Sequence, residues 1–80
     1  MFIEHEKRLI EKNYTENAES TDILSFSHKD DPECQVVVSE INNRFKVSFP
    51  MSDNDVQYAT YFDDKEKAKK YLSYIIESHL

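Results

Sequence analysis

CQVVVSEINNRFKVSF, residues 34–49, is the stretch of sequence that decides the fold. Its second half, 44–49, alternates apolar and polar side chains, and its first half, 34–41, carries a run of three β-branched valines; both halves are typical of β-strands. Only two asparagines separate the halves, and a two-residue loop of this kind fixes the register of a hairpin. In that register Val38 faces Val47 and Val36 faces Phe49, so the apolar side chains of both strands lie on one face.

Two further strands extend the sheet on either side of this hairpin. Residues 22–28 alternate, and a loop at 29–33 places Phe26 beside Val36 and Leu24 beside Val38. On the other side, a turn at 50–55 leads into residues that continue the apolar face, namely Val56, Tyr58, Thr60 and Phe62. The prediction is a four-stranded antiparallel meander over about 22–28, 34–41, 44–49 and 56–62. The polar residues 14–21 show no pattern and predict a linker or an irregular edge segment.

A helix is predicted at each end of the chain. Residues 64–79 have the strongest helical periodicity, with Asp63 as the expected N-cap and Glu66 completing a capping box. This C-terminal helix should be the main cover of the sheet. Residues 2–13 predict a shorter N-terminal helix of weaker amphipathicity. Together these segments predict one α+β domain over residues 1–80, because a chain of this length can build only one hydrophobic core.

The composition excludes several classes of chemistry. The chain has no glycine, which phosphate-binding loops, dinucleotide-binding fingerprints and nucleophile elbows all require. Its one cysteine and three histidines match no metal-ligand spacing. We therefore expect no cofactor, no metal site and no catalytic residue, and hence no enzyme. One remote alternative stays open, since His28 lies opposite Cys34 in the proposed register and could activate its thiol.

The charge balance points to a protein partner. Ten basic and sixteen acidic residues give a net charge of −6, which repels nucleic acid and anionic membranes and favours association with basic surfaces. No stretch is long and apolar enough to span a bilayer, and the first residues do not resemble a signal peptide, so a cytoplasmic location is expected. In a meander, two loops rich in carboxylates lie at the same end of the sheet. The acidic residues predicted to share this rim and to bind a partner are Asp30, Asp31, Glu33, Asp53 and Asp55.

The outward face of the predicted sheet is a second candidate surface. It combines polar residues with four apolar ones, Ile23, Val37, Ala59 and Tyr61, and is therefore more apolar than a fully solvated face needs to be. Either the N-terminal helix covers this face, or a partner or a second copy does. In the second case Tyr61 is the natural anchor, because tyrosine is enriched among the residues that dominate binding energy.

In composition, as a compact, acidic, glycine-free chain, the protein resembles the small inhibitors that phages and mobile elements direct against host nucleases, anti-CRISPR proteins among them. The leading hypothesis is that the chain inhibits or regulates a basic, nucleic-acid-handling protein by presenting carboxylates where phosphates would lie. The alternative hypothesis is a small homodimeric interaction or assembly module that acts through its sheet face or a strand edge.

Overall fold

The computed structural model of the protein describes residues 2–50 and 57–80. Its sheet has five strands in the order β1-β2-β3-β4-β5, each antiparallel to its neighbours. The predicted α+β class is confirmed, with one strand more than expected. The elements are, in chain order, α1 (Ile3–Glu11), β1 (Tyr14–Glu16), β2 (Leu24–His28), β3 (Gln35–Ile41), β4 (Arg44–Pro50), β5 (Gln57–Phe62) and α2 (Lys65–Ser78).

The predicted register of the central hairpin is confirmed. Val38 pairs with Val47, and the loop residues Asn42 and Asn43 take positive φ angles of 51° and 64°. Asparagine tolerates this left-handed region better than most residues, which explains how a chain without glycine makes a two-residue turn. The pairing of Leu24 with Val38 is confirmed as well. Along β5, Tyr58, Thr60 and Phe62 lie opposite β4 as predicted, whereas Val56 lies outside the described residues.

The additional strand, β1, lies in the segment predicted to be a linker. Asn13 ends α1 with a φ of 70° and turns the chain back along β2, where Tyr14 pairs with His28. Tyr14 is buried, and Thr15 pairs with Ser27. The prediction of four strands was wrong at this point because three residues are too short to show a two-residue period.

Both helices pack on the same face of the sheet. From α2, the core receives Ala68, Leu72, Ile75 and Ile76, while α1 contributes Leu9. Nε2 of His5 lies 3.1 Å from the backbone oxygen of Lys69 and 2.8 Å from Oγ of Ser73, which joins the two helices. Phe2, the residue before α1, also belongs to the core. The inner face of the sheet supplies the rest, with Tyr14, Leu24, Phe26, Val36, Val38, Val47 and Phe49.

Two details of the prediction need correction. The N-cap of α2 is Asp64 and not Asp63, since the Asp64 carboxylate accepts a hydrogen bond of 2.8 Å from the backbone N–H of Glu66. Asp63 instead forms an exposed ion pair with Lys67 at 3.7 Å. Ile23 was expected on the outward face, but it precedes β2 and packs against the core.

Within residues 2–50 and 57–80, no helix is long and apolar enough to cross a membrane.

Candidate protein-binding surface

The outer face of the sheet is not covered by α1, which packs against α2 and β1 on the opposite face. The outward strand positions are mainly small and polar, and those that the structure describes include no acidic residue, although the chain carries sixteen. Arg44 and Lys46 lie on this face. The face is thus locally basic on a protein whose net charge is −6.

One corner of the outer face is closed by a hydrogen-bonded network. Nδ2 of Asn17 donates to Oγ of Ser25 at 2.9 Å, and Oγ of Ser27 donates to Oδ1 of Asn17 at 3.0 Å. Both serines are only 8% exposed. The amide of Asn17 therefore satisfies two buried hydroxyls at once and joins the segment after β1 to β2.

The structure describes only part of the predicted acidic rim. Asp30, Asp31 and Glu33 are exposed in the loop between β2 and β3, at the end of the sheet where β4 ends and β5 begins. Asp53 and Asp55 lie outside the described residues. The shared rim therefore stays a prediction for these two carboxylates.

The described carboxylates of this loop differ in their roles. Oδ1 of Asp31 accepts a hydrogen bond of 3.2 Å from the backbone N–H of Glu33, and Oδ2 accepts one of 3.3 Å from the Cys34 thiol. Asp31 thus stabilises the turn. The side chains of Asp30 and Glu33 form no ion pair with any base in residues 2–50 and 57–80. All three carboxylates are exposed, and those of Asp30 and Glu33 are not engaged in stabilising the turn.

His28 and Cys34 are neighbours, as the register predicted, and the backbone N–H of His28 donates to the oxygen of Cys34 at 2.9 Å. The Cys34 thiol donates to Asp31, and Nδ1 of His28 accepts from the backbone N–H of Asp30 at 3.1 Å. The side chains thus make the polar contacts of a tight turn. In the part of the chain that the structure describes, no group of His, Cys, Asp and Glu has the arrangement of a metal site.

Tyr61 lies toward the opposite end of the sheet from the acidic loop. Its side chain is 53% exposed on the outer face, where it pairs across strands with Lys46. Beside it an open groove of about 510 Å³ is lined by Ile41, Asn42, Arg44 and Tyr61. The structure therefore does not bring Tyr61 together with Asp30, Asp31 and Glu33.

The geometry of the central hairpin determines which residues of β4 hydrogen-bond to β3 and which hydrogen-bond to β5. Residues that flank a two-residue loop, here Ile41 and Arg44, exchange both backbone hydrogen bonds. Bonded pairs then alternate along the ladder. Arg44 and every second residue after it bond to β3, and the residues between them, starting with Phe45, bond to β5.

The same alternation determines which backbone groups of β5 remain open. Phe45 lies opposite Phe62, so Phe62, Thr60 and Tyr58 bond to β4. The N–H and C=O groups of Ala59 and Tyr61 then point away from the sheet. Since β5 is the last strand of the sheet that residues 2–50 and 57–80 form, these groups make an open edge of that sheet.

Two exposed tyrosines lie on this strand, and a third lies on the neighbouring flank of α2. Tyr58 on the inner face and Tyr61 on the outer face are 47% and 53% exposed. Tyr74 of α2, also 53% exposed, lies on the helix flank of Tyr71, whose hydroxyl accepts a hydrogen bond of 3.3 Å from Thr60. The other flank of α2 faces α1, because it carries Lys69 and Ser73. We call the open backbone of β5 with Tyr58, Tyr61 and Tyr74 the β5 edge surface.

The two edges of the sheet are protected very differently. β1 is only three residues long, includes Glu16 and packs against α1. β5 is six residues long and contains no charged residue and no proline. Native sheets usually block an edge with charge, proline, a bulge or a covering element, because open N–H and C=O groups pair with other chains. β5 carries neither of the first two protections.

Sequence reasoning identified Tyr61 but missed the other two tyrosines of this surface. Tyr58 was assigned to the buried face and Tyr74 to the C-terminal helix without a role. The signal that could have found them is the uncharged sequence QYATYF of the last strand, read together with its position at the sheet edge.

Comparisons with known proteins add no identity to this description. No family model, no curated protein and no solved structure matches the chain. The fold and the surface define a class only, which is a small α+β protein with both helices on one face of an antiparallel sheet. The functional argument depends on the physical properties of its surfaces.

Proposed function

We propose that the protein is a non-enzymatic interaction module that binds another protein chain by adding an extended segment of it to β5. The observation that carries this proposal is the open, uncharged backbone of a six-residue edge strand. In strand addition, main-chain hydrogen bonds supply affinity and side-chain contacts on the two faces supply specificity. The β5 edge surface offers both kinds of contact.

The side chains at this edge suit a protein partner. Tyr58 and Tyr61 lie on opposite faces of β5, so an added strand would place its alternating side chains against one tyrosine on each face. Tyrosine contributes a large contact area at a low cost in conformational entropy, together with a hydroxyl that can hydrogen-bond. An added segment that is extended and uncharged fits this surface best.

The proposal is tested by removing one outward N–H group. Ala59→Pro deletes the backbone donor of an exposed residue whose N–H points away from β4, so the sheet itself keeps its bonds. Ala59→Ser is the matched control, because it changes the side chain and keeps the N–H. The immobilised protein and both variants would be exposed to an extract of the native host, and the captured proteins identified by mass spectrometry.

A discrete partner retained by the unmodified chain and by Ala59→Ser, and lost with Ala59→Pro, is the expected result. A partner retained equally by all three would contradict strand addition at β5. Circular dichroism of each variant shows whether the sheet is intact.

A second candidate function is favoured by the charge of the acidic loop. Asp30 and Glu33 are exposed and have no basic partner among the described residues, on a chain of net charge −6. Such carboxylates support the proposal that the chain inhibits or regulates a basic, nucleic-acid-handling protein by occupying phosphate positions. Electrostatic complementarity of this kind acts mainly on the association rate and weakens as salt is added.

The second candidate is tested with paired neutral substitutions. Asp30→Asn with Glu33→Gln should slow association with a captured basic partner severalfold and flatten its dependence on salt. Glu4→Gln with Glu11→Gln removes the same charge from α1 and should have a much smaller effect. Equal effects of the two double variants would show that net charge, and not the loop, governs binding.

A further inference from the structure

We infer that the segment which adds to β5 is β5 of a second copy of this chain, so that two copies form one continuous sheet of ten strands, five from each. This inference rests on the proposed function, because it names the partner of the same edge. The two strands run antiparallel about a two-fold axis that passes beside Thr60. Such an interface is isologous, which means that each copy presents the same surface to the other.

The open backbone groups are complementary to themselves in this arrangement. With Thr60 on the axis, Ala59 lies opposite the partner's Tyr61, and the symmetry repeats this pair on the other side of the axis. Both residues have outward N–H and C=O groups, so each pair exchanges two hydrogen bonds. No residue of β4 has to give up a bond for this to happen.

The side chains favour this register over its nearest alternative. On the outer face the large Tyr61 meets the small Ala59 of the partner subunit. On the inner face Tyr58 meets the partner's Phe62, an aromatic cross-strand pair of the kind that stabilises sheets. A shift that placed Ala59 on the axis would put Tyr58 against the partner's Thr60 and lose that pair.

Charge also selects this edge for a second copy. Two chains of net charge −6 repel each other over most of their surfaces. β5 contains no charged residue, and the two acidic side chains of α2 pair with bases elsewhere, Glu66 with Lys69 and Glu77 with Arg8. The described acidic loop precedes β3, two strands away from the edge, and Asp63, which follows β5, pairs with Lys67. The strand itself therefore places no charge against a second copy.

The area of the surface sets the expected strength of the dimer. Three tyrosines that are each about half exposed offer roughly 300 Å² of side-chain surface per copy, if a tyrosine contributes about 200 Å² when fully exposed. A standard stable interface buries about 800 Å² on each partner. Even with the paired backbones added, the dimer should be modest in affinity and should dissociate on dilution.

The first experiment measures mass in solution. Sedimentation equilibrium over a wide range of concentration should show a reversible change from the 9.5 kDa chain to twice that mass. Ala59→Pro should remain a monomer throughout, and Ala59→Ser should dimerise like the unmodified chain. Tyr61→Lys is a second variant that keeps every backbone group but places a charge at the edge, and it too should remain a monomer.

Two results would overturn the inference. One is a monomer of the unmodified chain at the highest concentration, and the other is normal dimerisation of both Ala59→Pro and Tyr61→Lys. If the unmodified chain is monomeric while Ala59→Pro still loses a captured host protein, self-pairing is wrong and strand addition stands. If Ala59→Pro changes neither mass nor capture, both proposals fail.

The second experiment tests the register by cross-linking. In a Cys34→Ser background, Thr60→Cys places two thiols on the axis in a pair that is not hydrogen-bonded, where Cβ atoms are about 4.5–5.5 Å apart. Mild oxidation should convert this variant to a covalent dimer. Ala59→Cys in the same background should not cross-link, because its neighbour across the axis is the partner's Tyr61. The reverse result would overturn the proposed axis.

Discussion

Asn17→Ala is the substitution that best tests how the additional strand is held in the sheet. The amide of Asn17 receives a hydrogen bond of 3.0 Å from Ser27 and donates one of 2.9 Å to Ser25. Because both serines are 8% exposed, water cannot readily replace these bonds. The substitution would therefore leave two buried hydroxyls without their partner.

The cost can be estimated from these contacts. Leaving a buried polar group unsatisfied costs about 1–3 kcal/mol, and hydroxyls that rotate toward another acceptor recover part of it. We expect Asn17→Ala to lower the free energy of unfolding by about 2 kcal/mol. For a domain of this size, each kcal/mol corresponds to a fall of about 4–8 °C in Tm.

The assay is urea unfolding followed by circular dichroism, with Glu19→Ala as a control in the same segment. Ser25→Ala with Ser27→Ala should make a subsequent Asn17→Ala much less costly, since the hydroxyls that lose their partner are then absent. If Asn17→Ala changes the free energy of unfolding by less than about 0.5 kcal/mol, or costs as much without the serines, the network does not stabilise the edge as argued.

Three smaller predictions concern individual residues elsewhere in the fold. Asn43→Ala should lower the free energy of unfolding by about 1 kcal/mol in urea, because its φ of 64° penalises alanine, whereas Asn43→Gly should be tolerated. Asp64→Ala should cost about 0.5–2 kcal/mol through loss of the N-cap, and Asp63→Ala less than about 1 kcal/mol, since it removes only an exposed ion pair. Burial, with Arg8 and Lys69 nearby, lowers the pKa of His5, so the unfolded chain takes up this proton first as the pH falls. Neutral His5 therefore contributes its full stabilisation above about pH 6.5, and this contribution is lost as the pH falls toward the lower folded-state pKa. Between about pH 7.5 and 5.5, Tm should fall more for the unmodified chain than for His5→Gln.

The central hairpin could be predicted because its information is local. The valine run in 34–41 and the alternation in 44–49 define two strands, and two adjacent asparagines define the turn, so the pairing of Val38 with Val47 follows from the chain alone. The C-terminal helix was predictable for the same reason, since its apolar residues recur with helical spacing over four turns. Its N-cap was misplaced by one residue because Asp63 and Asp64 are chemically equivalent candidates.

What the sequence left undecided depends on contacts between distant segments. β1 has three residues and no period of its own, and its position depends on the turn at Asn13 and on the bonds from Asn17 to two serines of β2. Likewise, Tyr58 belongs to the inner face by alternation, yet it is 47% exposed at the last strand of the sheet. Alternation identifies the face of a residue, while its exposure depends on which strand is at the edge.

The acidic character of the chain has opposite consequences for phosphate mimicry by the acidic loop and for dimerisation through β5. The effect of added salt therefore distinguishes these two proposals. If the carboxylates of Asp30 and Glu33 attract a basic partner, added salt screens that attraction and weakens binding. If the net charge of −6 mainly opposes contact between copies, salt screens a repulsion and strengthens the dimer formed through β5. Sedimentation equilibrium at low and at high ionic strength therefore shows whether added salt strengthens or weakens the dimer. A dimer that dissociates as salt is added would mean that ion pairs hold it together, which the uncharged edge of β5 cannot supply.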